Sequence, residues 1–137
     1  TAANFSNNNA EALMEADVLV LTMPVWLNSM PAILKAWLDQ VLVPGKMFTY
    51  SPEGMVPTHR LKSVVLLVSS DQVYKEDDPL DGLTPAIRAI FSYIGVEEIH
   101  IAWADGQDTI RHFDSAERLE LAMEAAREIA EELVEPA

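Results

Sequence analysis

Two stretches of the chain are apolar on consecutive positions and a third is so apart from His100, and between them the apolar residues recur with helical spacing. Val18-Leu19-Val20-Leu21, Val64-Val65-Leu66-Leu67-Val68 and Ile99 to Ala104 lack a polar face. That pattern predicts strands buried between two helical layers. After Pro31, which suits a first helical turn, Ile33, Leu34, Trp37, Leu38 and Val41 form one stripe, with Lys35 and Asp39 on the wet side and Pro44-Gly45 as a stop. Thr84 reads as an N-cap with Pro85 at the first helical position, and Ile87, Ile90, Phe91 and Ile94 as the buried face before Gly95. Asn8 with Glu11, and Asp114 with Glu117, have capping-box spacing. They predict a short helix over 10–15 and a last helix whose stripe is Leu119, Ala122, Met123, Ala126, Ile129 and Leu133. Met47 to Lys62 keeps no sustained period and reads as an irregular excursion.

The resulting order is helix, strand, helix, strand, helix, strand, helix. Strands without a polar face in that order predict an α/β fold with a parallel sheet covered on both sides, formed by residues 1–137 as a single domain. With 137 residues, half of them hydrophobic, there is material for a core. A net charge of −13 argues against nucleic acid and anionic membranes as partners, because such binding draws on Lys and Arg. The absence of cysteine excludes disulfides, a thiolate nucleophile and Cys-ligated metal. The longest apolar run, Val18 to Met23, is far short of the roughly 20 residues of a membrane span, so a cytoplasmic protein is expected. The chain does not begin with Met and has no basic leader, which leaves a processed or partial chain as an expectation.

Ligands in open parallel sheets sit beyond the carboxyl ends of the strands, so the segments to inspect are Pro24 to Ser29, Ser69 to Tyr74 and Asp105 to Asp108. The first sets Val25, Trp26 and Leu27 in a loop that water alone would make polar. Two readings stand: a surface for a flat apolar ligand, or local packing against a helix or a partner subunit. His59, His100 and His112 are scattered without metal-site spacing, and no metal is expected. Asp71, Glu76, Asp77, Asp78 and Asp81 lack calcium-loop spacing and read as a solvated acidic loop. Neither a Gly-x-Ser-x-Gly elbow nor a Gly-rich phosphate cradle is present, and no catalytic side chain is assigned.

The segment Pro24-Val25-Trp26-Leu27-Asn28-Ser29-Met30-Pro31-Ala32-Ile33-Leu34-Lys35-Ala36-Trp37-Leu38-Asp39, followed by Gly45 and Phe48-Thr49-Tyr50, resembles flavodoxin-fold NAD(P)H:quinone oxidoreductases and FMN-dependent azoreductases. Thr84-Pro85 through Phe91-Ser92-Tyr93-Ile94-Gly95, then Ala104-Asp105-Gly106, is similar to the final third of that family. The resemblance implies a flavodoxin-like three-layer sandwich that binds FMN, rather than FAD, and uses NAD(P)H as co-substrate. Pro24, Val25, Trp26, Leu27 and Asn28 would wrap the ring edge, and Ser70, Asp71, Gln72, Val73 and Tyr74 would form the second flavin loop. Phe48 and Tyr50 would line the substrate side across a homodimer interface. Hydride would pass from a nicotinamide to the flavin and on to a small aromatic acceptor such as a quinone, azo or nitroaromatic compound, with no protein nucleophile.

Two departures accompany the resemblance. Gln72 and Val73 stand where relatives usually carry a Gly pair. The family's opening strand, phosphate loop, helix and second strand have no counterpart, so the fold is expected to be N-terminally incomplete. In the family's strand order 2-1-3-4-5, Val18 to Leu21 would be a middle strand left as an edge. A longer parent chain, a second chain or a symmetry mate is therefore expected to cover it. The alternative function is a non-enzymatic flavodoxin-like electron carrier, or a flavin-free interaction module, whose acidic surface would dock basic partners.

Overall fold

The structure, a computed structural model, describes residues 9–134. Residues 9–14 are helical, and the capping role expected of Asn8 lies outside the described residues. Strand β1 (Val18–Pro24) leads to helix α1 (Ala32–Val41). The hairpin of β2 (Phe48–Ser51) and β3 (Gly54–Pro57) precedes β4 (Ser63–Ser69), helix α2 (Thr84–Tyr93), β5 (Glu98–Ala104) and helix α3 (Ser115–Val134). The main sheet is parallel in the order β1-β4-β5, with Leu21 opposite Leu66 and Leu66 opposite Ile101.

Alternate residues of each strand face opposite layers. Leu21 and Met23, with Val64, Leu66 and Val68, pack against Leu38 and Val41 of α1, Ile87 and Phe91 of α2, and Ala10 and Leu13 of the first helical segment. This face holds the core. On the opposite face α3 packs along β5 and contributes no buried residue, so its expected stripe is only half-covered. A cleft of about 380 Å³ remains there between Thr22 and Pro24 of β1, Leu67 of β4, Ala102 and Ala104 of β5, and Leu119, Ala122, Met123 and Ala126 of α3. β1 is accordingly not buried on both sides: Val18 is exposed and Val20 is 54 % exposed.

Four other expectations are corrected. The segment from Met47 to Lys62 contains the antiparallel β2–β3 hairpin, closed at Pro52-Glu53, where the Ser51 Oγ accepts from the Glu53 N–H (3.2 Å). Each strand is only four residues long, too short for alternation to stand out. Ile33 is 80 % exposed because α1 buries its other flank through Leu38 and Val41. Helix α2 is capped by Asp81, whose Oδ1 accepts from the N–H groups of Leu83 and Thr84 (both 2.9 Å), with Thr84 inside the helix. Asp114 spends its carboxylate on Arg118 (3.0 Å) instead of closing a box with Glu117. Gly95 does end α2: at φ +86° it lets the Val96 N–H reach the Phe91 carbonyl (2.8 Å), closing a Schellman motif.

Candidate functional site

Because β1, β4 and β5 run parallel and in register at Pro24, Ser69 and Ala104, the three loops that follow leave the same edge of the sheet. The Val25 N–H donates to the Ser69 carbonyl (2.8 Å) and the Ser70 N–H to the Ala104 carbonyl (3.0 Å), carrying the ladder one step past the strands. Trp26 and Ser29 then exchange two main-chain hydrogen bonds (3.0 and 3.1 Å) around Leu27 and Asn28. Both central residues are left-handed, with φ of +49° and +61°, as in a mirror-image hairpin turn. The N–H groups of Leu27 and Asn28 meet no acceptor among the described residues.

The loop after β4 is held from behind. The Ser70 carbonyl accepts from Gln107 N–H (3.0 Å), and the Gln72 carbonyl from both Gly106 N–H (3.1 Å) and the Ser70 hydroxyl (2.7 Å). The Trp103 indole N–H donates to the Ser70 Oγ (2.8 Å), and the Trp103 and Tyr74 rings lie 5.2 Å apart. Gly106, at φ +58°, has the Arg118 side chain and a Val73 methyl where a Cβ would stand, at 2.8 and 3.1 Å. Arg118 in turn bridges Asp105 and Asp114 (3.0 Å each).

The two loops enclose one cleft of about 460 Å³, lined by Val25, Trp26, Leu27, Asn28, Ser70, Asp71, Gln72 and Tyr74. Eight of the ten residues expected around a flavin thus share a single cavity. Pro24 and Val73 do not line it. Pro24 borders the cleft beneath α3, and a Val73 methyl lies against Gly106. Trp26 is 62 % exposed and Leu27 fully exposed, which removes local packing against a helix as the reason for these side chains. The Tyr74 hydroxyl donates to the Asn28 Oδ1 (2.6 Å) and ties the loops together. Burial, then the carboxylates of Asp81 and Asp78, holds the Tyr74 phenol above its usual pKa, so it remains a donor at neutral pH.

Neither Phe48 nor Tyr50 lines this cavity. Phe48 is 3 % exposed and belongs to the core, edge-on to Tyr50 and Tyr93 with ring centroids 5.5 Å away in each case. The Tyr50 and Tyr93 hydroxyls lie 2.5 Å apart at the surface, and that bond raises the Tyr50 pKa. His59 is structural: one ring nitrogen pairs with the Ile94 carbonyl (2.8 Å) and the other accepts from the Leu61 N–H (3.0 Å). Among the described residues no group of His, Asp and Glu could hold a metal ion. Asp78 and Asp81 of the acidic loop bond to backbone N–H groups instead. The contributions of Gly82, Trp103 and Arg118 were not legible in the sequence. Gly82 meets the Asn28 turn across 54 positions, and only the Asp81-Gly82 turn dipeptide marked the place.

The cavity lining includes the largely exposed indole of Trp26 and the Leu27–Asn28 turn, whose main-chain N–H groups have no acceptor among the described residues. Gln72 and Asp71 add a polar side, and among the described residues Asp71 is the one charged residue lining the cavity.

Comparison with known proteins agrees with the architecture. A family model described as Flavodoxin-like fold matches residues 2–130. An FMN-dependent NADH:quinone oxidoreductase of Beijerinckia indica is 31 % identical over 108 residues, covering 77 % of this chain and 54 % of the relative. One of the same name from Stenotrophomonas maltophilia is 33 % identical over 96 residues, covering 70 % and 49 %. The chain spans about half the length of the curated relatives it matches. Among solved structures, an FMN-dependent NADH-azoreductase from Bacillus anthracis, in complex with FMN, superposes with a TM-score of 0.79 at 21 % identity, covering 97 % of this chain and 62 % of the other. At that identity the likeness is one of fold. No helix among the described residues is long and apolar enough to cross a membrane. With that family model matching nearly its whole length, the chain belongs to the flavodoxin-like fold family.

Proposed function

We propose that this chain supplies the ring-binding part of an FMN-dependent NAD(P)H oxidoreductase acting on a quinone, azo or nitroaromatic acceptor. One observation carries the reading: two loops 45 or so positions apart in sequence close on a single cavity at the carboxyl edge of the sheet, with free main-chain N–H groups at Leu27 and Asn28. The names of the relatives, FMN-dependent NADH:quinone oxidoreductases, support it. Bound there, FMN would supply hydride exchange in two half-reactions, with the nicotinamide as donor.

The chain's own residues bind, orient and shield. Trp26 offers an apolar face. The turn at Leu27 and Asn28 presents N–H donors toward charge that develops on a ring, where fixed dipoles are most effective. Ser70 to Gln72 close the opposite side, braced by Gln107 and Gly106. Tyr50, exposed beside Tyr93, does not line this cavity; as a substrate-side residue it would serve an acceptor on a neighbouring subunit, so a homodimer is part of the proposal. The uncovered edge of β1 is a second contact, for another chain or another segment. A cytoplasmic setting, where nicotinamide donors are at hand, goes with this reading.

The test is titration of the purified chain with FMN followed by anaerobic NADH. Flavin uptake with bleaching on NADH is expected; a preparation that leaves added FMN free in solution rejects the proposal. Trp26→Ala is expected to weaken flavin binding about tenfold while leaving the unfolding midpoint near that of the parent, since the indole is mostly exposed. Unchanged flavin affinity removes Trp26 from the site.

A further inference from the structure

The turn that offers the free donors is held in an unfavourable conformation. Two adjacent residues with side chains, Leu27 and Asn28, occupy left-handed backbone, which L residues avoid. Such conformations persist only where the surroundings over-determine them, and they concentrate where function uses them. The surroundings here come from the acidic segment between β4 and α2. The Gly82 N–H donates to the Asn28 carbonyl (2.7 Å), the Ser29 hydroxyl donates to the Gly82 carbonyl (3.3 Å), and the Tyr74 hydroxyl donates to the Asn28 Oδ1 (2.6 Å). A Cβ on Gly82 would stand 2.6 Å from the Asn28 carbonyl oxygen, a backbone atom that cannot swing aside, so the approach requires glycine. Tyr74 is itself seated on Trp103, whose indole N–H holds Ser70.

We propose that Gly82 and Tyr74, with Trp103 behind them, form a clasp that sets the left-handed turn at Leu27–Asn28 and so aims its N–H groups into the cavity. These are positioning residues for the ring site: Gly82 does not line the cavity, and the Tyr74 hydroxyl is spent on Asn28. The inference rests on the flavin reading above and adds what controls it, namely the position of the segment 75–82. A clasp that relaxes lets the turn revert to right-handed backbone, and the donors leave the ring edge. Ring affinity then falls. The reduced, negatively charged ring loses more than the oxidised one, so the midpoint potential of bound flavin becomes more negative.

The experiment uses lumiflavin, which has the ring without the phosphate, alongside FMN, on the parent chain and on Gly82→Ala, Tyr74→Phe and Leu80→Ala. Leu80 is an exposed residue of the same segment and serves as control. Affinity is read by flavin fluorescence quenching, potential by redox titration of bound FMN, and folding by thermal unfolding. Gly82→Ala is expected to weaken lumiflavin at least about tenfold and Tyr74→Phe about threefold. Both are expected to shift the potential negatively, and Leu80→Ala to match the parent. Should Gly82→Ala not fold, Tyr74→Phe decides, because it keeps the ring against Trp103 and removes only the hydroxyl. Parent-like affinity and potential in Tyr74→Phe, or a lower unfolding midpoint with unmoved potential in both variants, overturns the clasp alone. A parent chain that takes up neither flavin overturns the flavin reading and the clasp together.

Discussion

Leu27 joins two costs at one position: a fully exposed apolar side chain and a left-handed backbone. Left-handed backbone costs an L residue roughly 1–2 kcal/mol, less for Asn, whose short polar side chain bonds locally. Leu27→Asn is therefore expected to stabilise the chain by about 0.5–1 kcal/mol in urea unfolding. A destabilised variant would mean that the leucine side chain makes a contact in solution. Within the turn, Val25, Trp26 and Ser29 spend their N–H groups on Ser69, Ser29 and Trp26, so the turn's own free donors are those of Leu27 and Asn28. The chemistry open to this turn follows from where the main chain is left unpaired, and side-chain identity decides only what face is offered beside it.

Helix α2 shows how one side chain can organise an element. Asp81 accepts from the N–H groups of Leu83 and Thr84 at the start of the helix, where Pro85 has no N–H to satisfy, while Thr84 already lies within the helix. Asp81→Ala is expected to cost about 1 kcal/mol, the usual loss of an N-cap, and Thr84→Ala only a few tenths, both read from chemical denaturation. The segment before it is closed by Asp78, whose carboxylate accepts from the N–H groups of Leu80 (3.0 Å) and Lys75 (3.1 Å). Those backbone bonds, with a smaller contribution from the Lys75 charge, hold the Asp78 carboxyl below the usual range. A carboxyl whose pKa is depressed on folding contributes fully above its ordinary value and loses that contribution as pH falls through the lowered folded value. Asp17 beside Arg60, and Glu98 beside His100, are depressed in the same direction. Thermal stability is thus expected to fall as the solution is acidified below about pH 4, and Asp78→Asn to show a smaller fall than the parent. An equal acid dependence in both would remove Asp78 from the set.

At the scale of the whole molecule, the two faces of the sheet differ. Among the described residues, one carries the core under α1 and α2, and the other is covered only along β5, leaving β1 at the edge of the sheet and Val20 half in water. An exposed, flat, apolar edge strand is a template for pairing with another chain. In dilute solution the chain is expected to self-associate. Val20→Lys, which places a charge on that strand, is expected to shift the population toward monomer in light scattering at matched concentration. A parent chain that stays monomeric at every concentration would remove the edge as a contact.

Much of this protein was readable along the chain: three apolar runs, helical stripes between them and Gly95 as a stop predicted an α/β parallel sheet, which is present although β1 is buried on one face only. The Trp26 loop also announced itself, since an indole beside leucine is out of place where a loop only meets water. Local pattern could not reveal which atoms those residues would meet. Asp81 displaced Thr84 as the cap because the preceding turn brought its carboxylate to the helix axis, and Ile33 faced outward because α1 rolled to bury Leu38 and Val41. A Val73 methyl lies against Gly106, and Val73 does not line the cavity. Periodicity reports which face of an element prefers to leave water, a property of neighbouring residues. The cavity, its free donors and the Gly82 clasp depend on a side-chain pair 46 positions apart and a backbone pair 54 positions apart, and only tertiary packing decides such meetings.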